Sequence, residues 1–271
     1  MFPKLKLNSE IRLLADLVPR NDITKKTDST IPNQSMILRT VARAKHRSTI
    51  DLSNWYFQIR VAPEDETLNT MQTPFGTFAC KVMLQGDTNA QSTAMRVMEF
   101  VLDGRIGKTV WAYLDDMTIF SDTKENHVRD IRQVYQRLQD HKIRASLAKC
   151  KFFADRLPLL GHVIDDQGIH ADPEKIRGIQ DWHTPKFKNE LQTLIGVVIY
   201  HAQFLPHLAT LSVPLLDLLS QSEFEWRPLH EESFQQIRML TRSITPLRHI
   251  DYQSPHPIYL FTDASKVGAG A

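Results

Sequence analysis

Hydrophobic and polar positions along this chain follow two periods. Residues 110–120, VWAYLDDMTIF, are two apolar runs around an acidic pair, and predict two short strands joined by a turn at Asp115-Asp116. The stretch TIDLSNWYFQIRVAP (49–63) is rich in β-branched and aromatic residues up to Pro63 and predicts a further strand. LPLLGHVI (157–164) predicts a strand pair. Elsewhere the period is helical. A helix is expected from a cap at Asn89 to Asp103-Gly104, and another from Glu125, where Val128, Ile131, Val134, Tyr135 and Leu138 recur on one face.

Beyond about residue 165 the pattern turns mostly helical. Asp172-Pro173 starts a helix with Ile176, Ile179 and Trp182 on one face and Pro185 past its end. A second begins near Asn189 and carries Leu191, Leu194, Ile195 and Val198. The apolar region 191–219 is interrupted by His201, Gln203, Pro206, His207 and Pro214, so it predicts a helix pair and not a membrane span of roughly 20 apolar residues. Residues 1–50 carry turn signals (Pro19, Asn21-Asp22, Pro32) and predict short strands and loops. The final PIYLFTDASKVGAGA reads as a strand, then Asp263, then a glycine-rich end.

Composition narrows the class. The chain has 271 residues, 42% hydrophobic and 24% charged, which is ordinary globular material. The formal net charge of +2 is unevenly placed: residues 1–50 carry +6 and 137–156 carry +4, leaving −8 on the rest. Two basic patches on an acidic body suit a polyanionic partner at one face; the plainer reading is solvated surface charge. The two cysteines, Cys80 and Cys150, are far apart, which argues against a disulfide framework or zinc site and for a reduced, intracellular chain. No signal peptide opens it.

The chemistry turns on Asp115-Asp116. Two adjacent carboxylates within apolar strands repel each other and are costly to desolvate. No Lys or Arg lies in the hairpin, so a divalent cation is the natural partner, with Asp51, 64 residues upstream of Asp115, as the third carboxylate. The alternative is a pair of unrelated surface turns.

The surrounding segments resemble those of a known family, in family order and over nearly the whole chain. YLDD (113–116) resembles the Tyr-x-Asp-Asp box of reverse transcriptases, and DLSNWYFQI (51–59) their first catalytic motif. MLQGDTNA (83–90), IRLLADLVPRNDIT (11–24) and LLGHVIDDQGI (159–169) resemble the nucleotide loop, a fingers motif and the primer-grip segment. Residues 191–215 resemble the thumb-to-connection segment of gypsy-type LTR retrotransposons, and TDAS (262–265) the opening of their RNase H domain.

The resemblance implies an α+β right-hand polymerase. Fingers and an RRM-like antiparallel palm would occupy 1–166, thumb and connection 167–256, and the start of an RNase H-like domain 257–271. It implies a reverse transcriptase region of a Pol polyprotein, truncated at both ends, that extends a primer on RNA or DNA. Asp51, Asp115 and Asp116 would hold two Mg²⁺ or Mn²⁺ ions, Asp116 as the weaker ligand. Lys149 is the candidate general acid. Arg12, Tyr56, Gln85 and Gly86 would contact the incoming nucleotide, Tyr56 as the gate against a ribose 2′-hydroxyl. Leu160, Gly161 and His162 would position the primer end. Asp263 would be a vestigial RNase H metal ligand, insufficient alone for that activity. The implied partners are an RNA/DNA primer–template, dNTPs and other Pol-derived domains, with no membrane; the implied location is cytoplasmic virus-like particles and then the nucleus.

Four features depart from the family pattern: Trp55 where a small residue is preferred, Gln91 for proline, Ala94 for an aromatic, and Pro158 in a strand. An indole at Trp55 is expected to crowd the sugar pocket. These departures support a second reading, a catalytically inactive remnant that at most binds nucleic acid.

Overall fold

The computed structural model describes residues 2–5, 11–28, 31–248, 255, 257, 259, 263–265 and 268–270. The strands β1 (Phe2–Leu5) and β2 (Ile11–Leu14) pair antiparallel. Two helices follow, α1 (Val18–Ile23) and α2 (Gln34–Arg43), where the turn signals predict strands and loops. Pro19 sits at the start of α1, where its fixed φ and missing N–H are tolerated. The Asn33 side chain caps α2, accepting from Ser35 N (2.9 Å) and Met36 N (3.3 Å).

The next strand, β3, runs His46–Asp51 and ends there. The strand expected over 49–63 is instead two 3₁₀ turns, Trp55–Gln58 and Pro63–Asn69. The left-handed Asn54 (φ 46°) swings the chain out of the sheet after Asp51. A hairpin, β4 (Thr70–Thr73) and β5 (Gly76–Ala79), precedes α3 (Ala90–Val101). Asn89 stands at the start of α3 as predicted, but its side chain does not cap it. It accepts from Thr27 N (3.0 Å) and donates to Lys25 O (2.9 Å), tying the 25–27 segment to the helix.

The predicted hairpin is present as β6 (Val110–Tyr113) and β7 (Asp116–Ser121), followed by α4 (Lys124–Asp140). A 3₁₀ turn (Leu147–Lys149) leads to β8 (Leu157–Leu159), β9 (His162–Asp165) and β10 (Gly168–Ala171). Pro158 is tolerated because β8 is the edge of the β10-β9-β8 sheet. Four helices complete this part: α5 (Pro173–Gln180), α6 (Lys188–Tyr200), α7 (Leu208–Ser220) and α8 (Pro228–Leu240). Asp172 caps α5, accepting from Glu174 N at 2.9 Å. A last hairpin is formed by β11 (Asp263–Ser265) and β12 (Gly268–Gly270). Among the described residues, no helix is long and apolar enough to cross a membrane.

The central sheet has the order β3-β7-β6, all antiparallel. Side chains alternate across its faces, and both faces are covered. Val110, Ala112, Met117 and Ile119 face Ala94 and Met98 of α3 and Val134 and Leu138 of α4, all nearly inaccessible. Trp111 and Phe120 point the other way. They join a second core that runs from Ile37, Leu38 and Val41 of α2 through Leu157 and Ile164 to Leu191, Leu215 and Phe234 of the later helices.

One polar cluster is sealed between sheet and helix. His127 of α4 is fully buried, with Nε2 2.7 Å from Ser48 Oγ and Nδ1 3.0 Å from Ser121 Oγ; Ser121 Oγ donates to Asp130 Oδ2 at 2.8 Å. Burial, and secondarily His46, lowers the imidazole pKa from 6.5 to about 4, against the pull of Asp130. The neutral ring is therefore favoured in the folded chain. Its contribution is complete above pH 6.5 and is lost as pH falls toward 4, at a cost on the order of 3 kcal/mol. Urea unfolding at pH 7 and pH 4 should show this loss, and His127→Gln should lose less over the same interval.

Candidate active site

The site begins at the β6–β7 tip. Tyr113 pairs with Asp116, so the turn consists of Leu114 and Asp115, and Asp116 is already in the strand. Leu114 adopts φ 58°, a left-handed position that usually falls to glycine or asparagine. Its N–H points at Met95 Sδ, 3.2 Å away on α3. On the other side, Asp51 pairs with Asp116 across β3–β7. The register thus gathers Asp51, Asp115 and Asp116 at one end of the sheet.

Their charges interact. The Asp116 carboxyl is pushed above the usual carboxylate range, first by burial and then by Asp115 and Asp51. The Tyr56 hydroxyl is raised by burial and by Asp115, which places the candidate gate in the same field. Lys149, on the Leu147–Lys149 turn, brings Nζ to 3.7 Å from Asp51 Oδ1. That lysine is 70% exposed, so the pair is worth little energetically. The loop is held by backbone: Thr49 bridges Lys151, Leu52 bridges Ala145, and Ser146 N donates to Asp51 O at 2.8 Å. Among the described residues, no group of three or more His, Cys, Asp and Glu side chains is assembled closely enough to hold an ion unaided.

Trp55 does not crowd a pocket. Its side chain is 2% exposed and packs in the core beneath the sheet with Ile50, Leu52 and Met83, while Tyr56 lies half-buried beside it. The 3₁₀ turn rotates successive residues by about 120°, which sends the indole inward.

Gln85 and Gly86 form a loop with Gly86 at φ 94°. Gln85 Oε1 is buried with no hydrogen-bond partner among the described residues. The loop is fastened by residues that the sequence pattern left as a turn. Asn21 Nδ2 donates to Gly86 O and Thr88 N donates to Asn21 Oδ1, both at 2.9 Å, while Arg20 pairs with Asp87 and Asn69. The only sequence signal for these is a polar triplet, Arg20-Asn21-Asp22, with no apolar period. Met83 N donates to Ile59 O (2.9 Å), so the segment entering this loop runs beside the one that follows Tyr56.

Leu160 and Gly161 are both left-handed (φ 47° and 68°) and turn β8 into β9. Tyr200 of α6 donates to Leu160 O at 2.7 Å, and a Cβ on Gly161 would stand 3.0 Å from the Tyr200 hydroxyl oxygen. His162 is buried, with Nδ1 2.8 Å from Leu160 O and Nε2 3.1 Å from Gln203 Nε2; it braces the turn from inside. Burial lowers its pKa. The Tyr200 hydroxyl pKa is raised by burial and then by Tyr113. Arg12 pairs with Lys4 across β1–β2, and Asp263 pairs with Gly270, but their side chains lie outside the described residues.

A family model described as reverse transcriptase (RNA-dependent DNA polymerase) matches residues 6–164. The chain belongs to this family. The chain is 30% identical, over 97% of its length, to the retrovirus-related Pol polyprotein from transposon gypsy of Drosophila melanogaster. It is 28% identical, over 98% of its length, to the transposon Tf2-3 polyprotein of Schizosaccharomyces pombe. It spans about a quarter of the first relative (27%) and a fifth of the second (20%). Its fold is that of the foamy viral protease-reverse transcriptase. The structure of that protein's dRH form with ds DNA superposes with a TM-score of 0.85 at 22% identity, covering 93% of this chain and 45% of that one. The structure with an RNA/DNA hybrid gives 0.79 at 22% identity, covering 93% and 34%. The expected α+β right-hand polymerase architecture is thus present.

With Trp55 buried in the core beneath the sheet, Trp55→Ala should lower the unfolding free energy by about 3–5 kcal/mol. A cost below about 1 kcal/mol in urea unfolding would contradict that placement.

Proposed function

We propose that this chain is the polymerase part of a gypsy-type Pol polyprotein and carries out RNA-directed DNA synthesis, extending a primer on RNA or DNA. The observation that carries the proposal is the register that sets Asp51 opposite Asp116, with Asp115 at the adjoining tip. Support for a duplex partner comes from the foamy viral relatives, whose structures are with ds DNA and with an RNA/DNA hybrid.

The donor set fits hard divalent cations. It offers carboxylate oxygens only, and after burial it is the neighbouring Asp115 and Asp51 charges that raise the Asp116 pKa. Asp51 and Asp115 would hold two Mg²⁺ or Mn²⁺ ions with Asp116 as the weaker ligand, and substrate phosphates would complete the coordination. When bound, such ions stabilise charge on the attacking and leaving oxygens of the displacement. Tyr56 excludes a ribose 2′-hydroxyl by occupying its volume. Gln85 and Gly86 border the nucleotide, where glycine permits close backbone approach. Arg12 grips the triphosphate through its guanidinium. Lys149 holds the proton that the leaving pyrophosphate takes up. The Leu160–Gly161 turn, braced by His162, sets the primer end beside the hairpin.

Residues 1–166 serve as fingers and palm, 167–256 as thumb and connection, and 257–271 as the start of an RNase H-like domain, with Asp263 a ligand position of the latter. Other Pol-derived domains are the expected neighbours, and cytoplasmic particles followed by the nucleus the expected location. Of the departures that support the inactive-remnant reading, Trp55 is no obstruction, because the indole lies in the core.

Primer extension on poly(rA)–oligo(dT) with dTTP and Mg²⁺ or Mn²⁺ tests the proposal. Asp115→Asn should reduce extension roughly a thousandfold or more, the scale of several kcal/mol of charge stabilisation, with no loss of melting temperature. Extension at the parent's rate would reject the site. In the same assay with ribonucleotides, Tyr56→Val should admit UTP at a rate approaching that of dTTP; unchanged selectivity would remove Tyr56 as the gate.

A further inference from the structure

We infer that Gln58 is a positioning residue that latches the Lys149-bearing loop onto the Asp51 strand. The kinetic consequence rests on the polymerase reading above; the geometry does not. Gln58 closes the 3₁₀ turn that carries Tyr56. Its carboxamide Nε2 donates to Ser53 O (2.6 Å) and to Arg144 O (2.9 Å), and its Oε1 accepts from Arg144 N (2.7 Å). Ser53 N donates to the same Arg144 O at 3.0 Å. The side chain therefore acts as one more peptide unit in a ladder between residues 49–53 and 144–151.

That ladder has two anchors, Leu52 with Ala145 and Thr49 with Lys151, and the Leu147–Lys149 turn spans the gap between them. Gln58 secures the first anchor. Ile143 and Ala145 pack against the core, while clefts of about 490 and 540 Å³ border Arg144 and Ala145, so packing alone does not fix the Arg144 backbone. The exposed Lys149–Asp51 pair is too weak to place the loop by itself. Hydrogen bonds must do so, and only an amide supplies two donors for two carbonyls and an acceptor for one N–H. Glutamate would turn a carboxylate on two carbonyl oxygens, and methionine would fill the volume with no hydrogen bond. One short 3₁₀ turn thus bears both the candidate gate and the latch for the candidate acid.

Hydrogen–deuterium exchange on the full chain reads the latch without requiring activity. Gln58→Met should raise exchange over residues 142–151 about tenfold or more, while α3 and the β6–β7 hairpin keep their protection. Unchanged exchange at 142–151 overturns the latch. Should Gln58→Met fail to fold, Gln58→Glu is read in the same way. Primer extension then tests the route through Lys149. Gln58→Met should slow turnover at saturating dTTP by roughly ten- to a hundredfold, with the dTTP KM changed less than about threefold. Adding Gln58→Met to Lys149→Met should cost no more than about twofold further. Fully additive losses would overturn Lys149 as the residue through which Gln58 acts. A parent chain that binds poly(rA)–oligo(dT) but never extends it would reject the polymerase reading, and the exchange result would still decide the latch.

Discussion

Three carboxylates held against their own repulsion at one end of a three-stranded sheet are the constraint on which the rest of this molecule depends. The Asp116 carboxyl shows the cost: burial raises its pKa first, and the Asp115 and Asp51 charges raise it further. What holds them is register. Every residue of β3 from His46 to Asp51 is paired with β7, and a slip of one residue would turn its side chains to the opposite face. Apolar layers on both faces make such a slip costly. Met117 and Ile119 are committed to one core, and Phe120 to the other.

Around this rigid end the loops are fastened by polar side chains. Asn21 holds the Gly86 loop from both sides, Tyr200 holds the Leu160 carbonyl, and Gln58 holds Arg144. Each uses a side-chain amide or hydroxyl where a backbone partner would otherwise be needed. Such links set positions to within a fraction of an ångström without burying much apolar area, which leaves room for a large ligand between the loops. The His127 cluster serves the opposite end of the same sheet, fixing α4 to β3 and β7 through Ser48 and Ser121.

Local pattern and tertiary context part company at identifiable residues. The β6–β7 hairpin, the β8–β9 pair and helices α3 to α6 follow from their hydrophobic period, because each buries a face whose spacing is written locally. The 49–63 segment does not. Its aromatic and β-branched content suits a strand, but Trp55 gains more by entering the core than by staying in a sheet, so β3 stops at Asp51. Residues 1–50 likewise conceal α2, whose buried stripe of Ile37, Leu38, Val41 and Ala42 is short and follows a run of turn signals.

By itself the sequence determined the family, the three candidate carboxylates and the element types wherever one face carries a clear period. These are properties of residue identity and spacing, and they survive without knowledge of neighbours. Only the tertiary structure decided that Trp55 faces inward, that His162 braces its turn from within, and that Arg20, Asn21 and Gln58 fasten the loops around the site. The polar links among these reach partners 41 to 86 residues away (His162 with Gln203 is the shortest such long-range link, Gln58 with Arg144 the longest), and no local pattern encodes which donor will meet which acceptor.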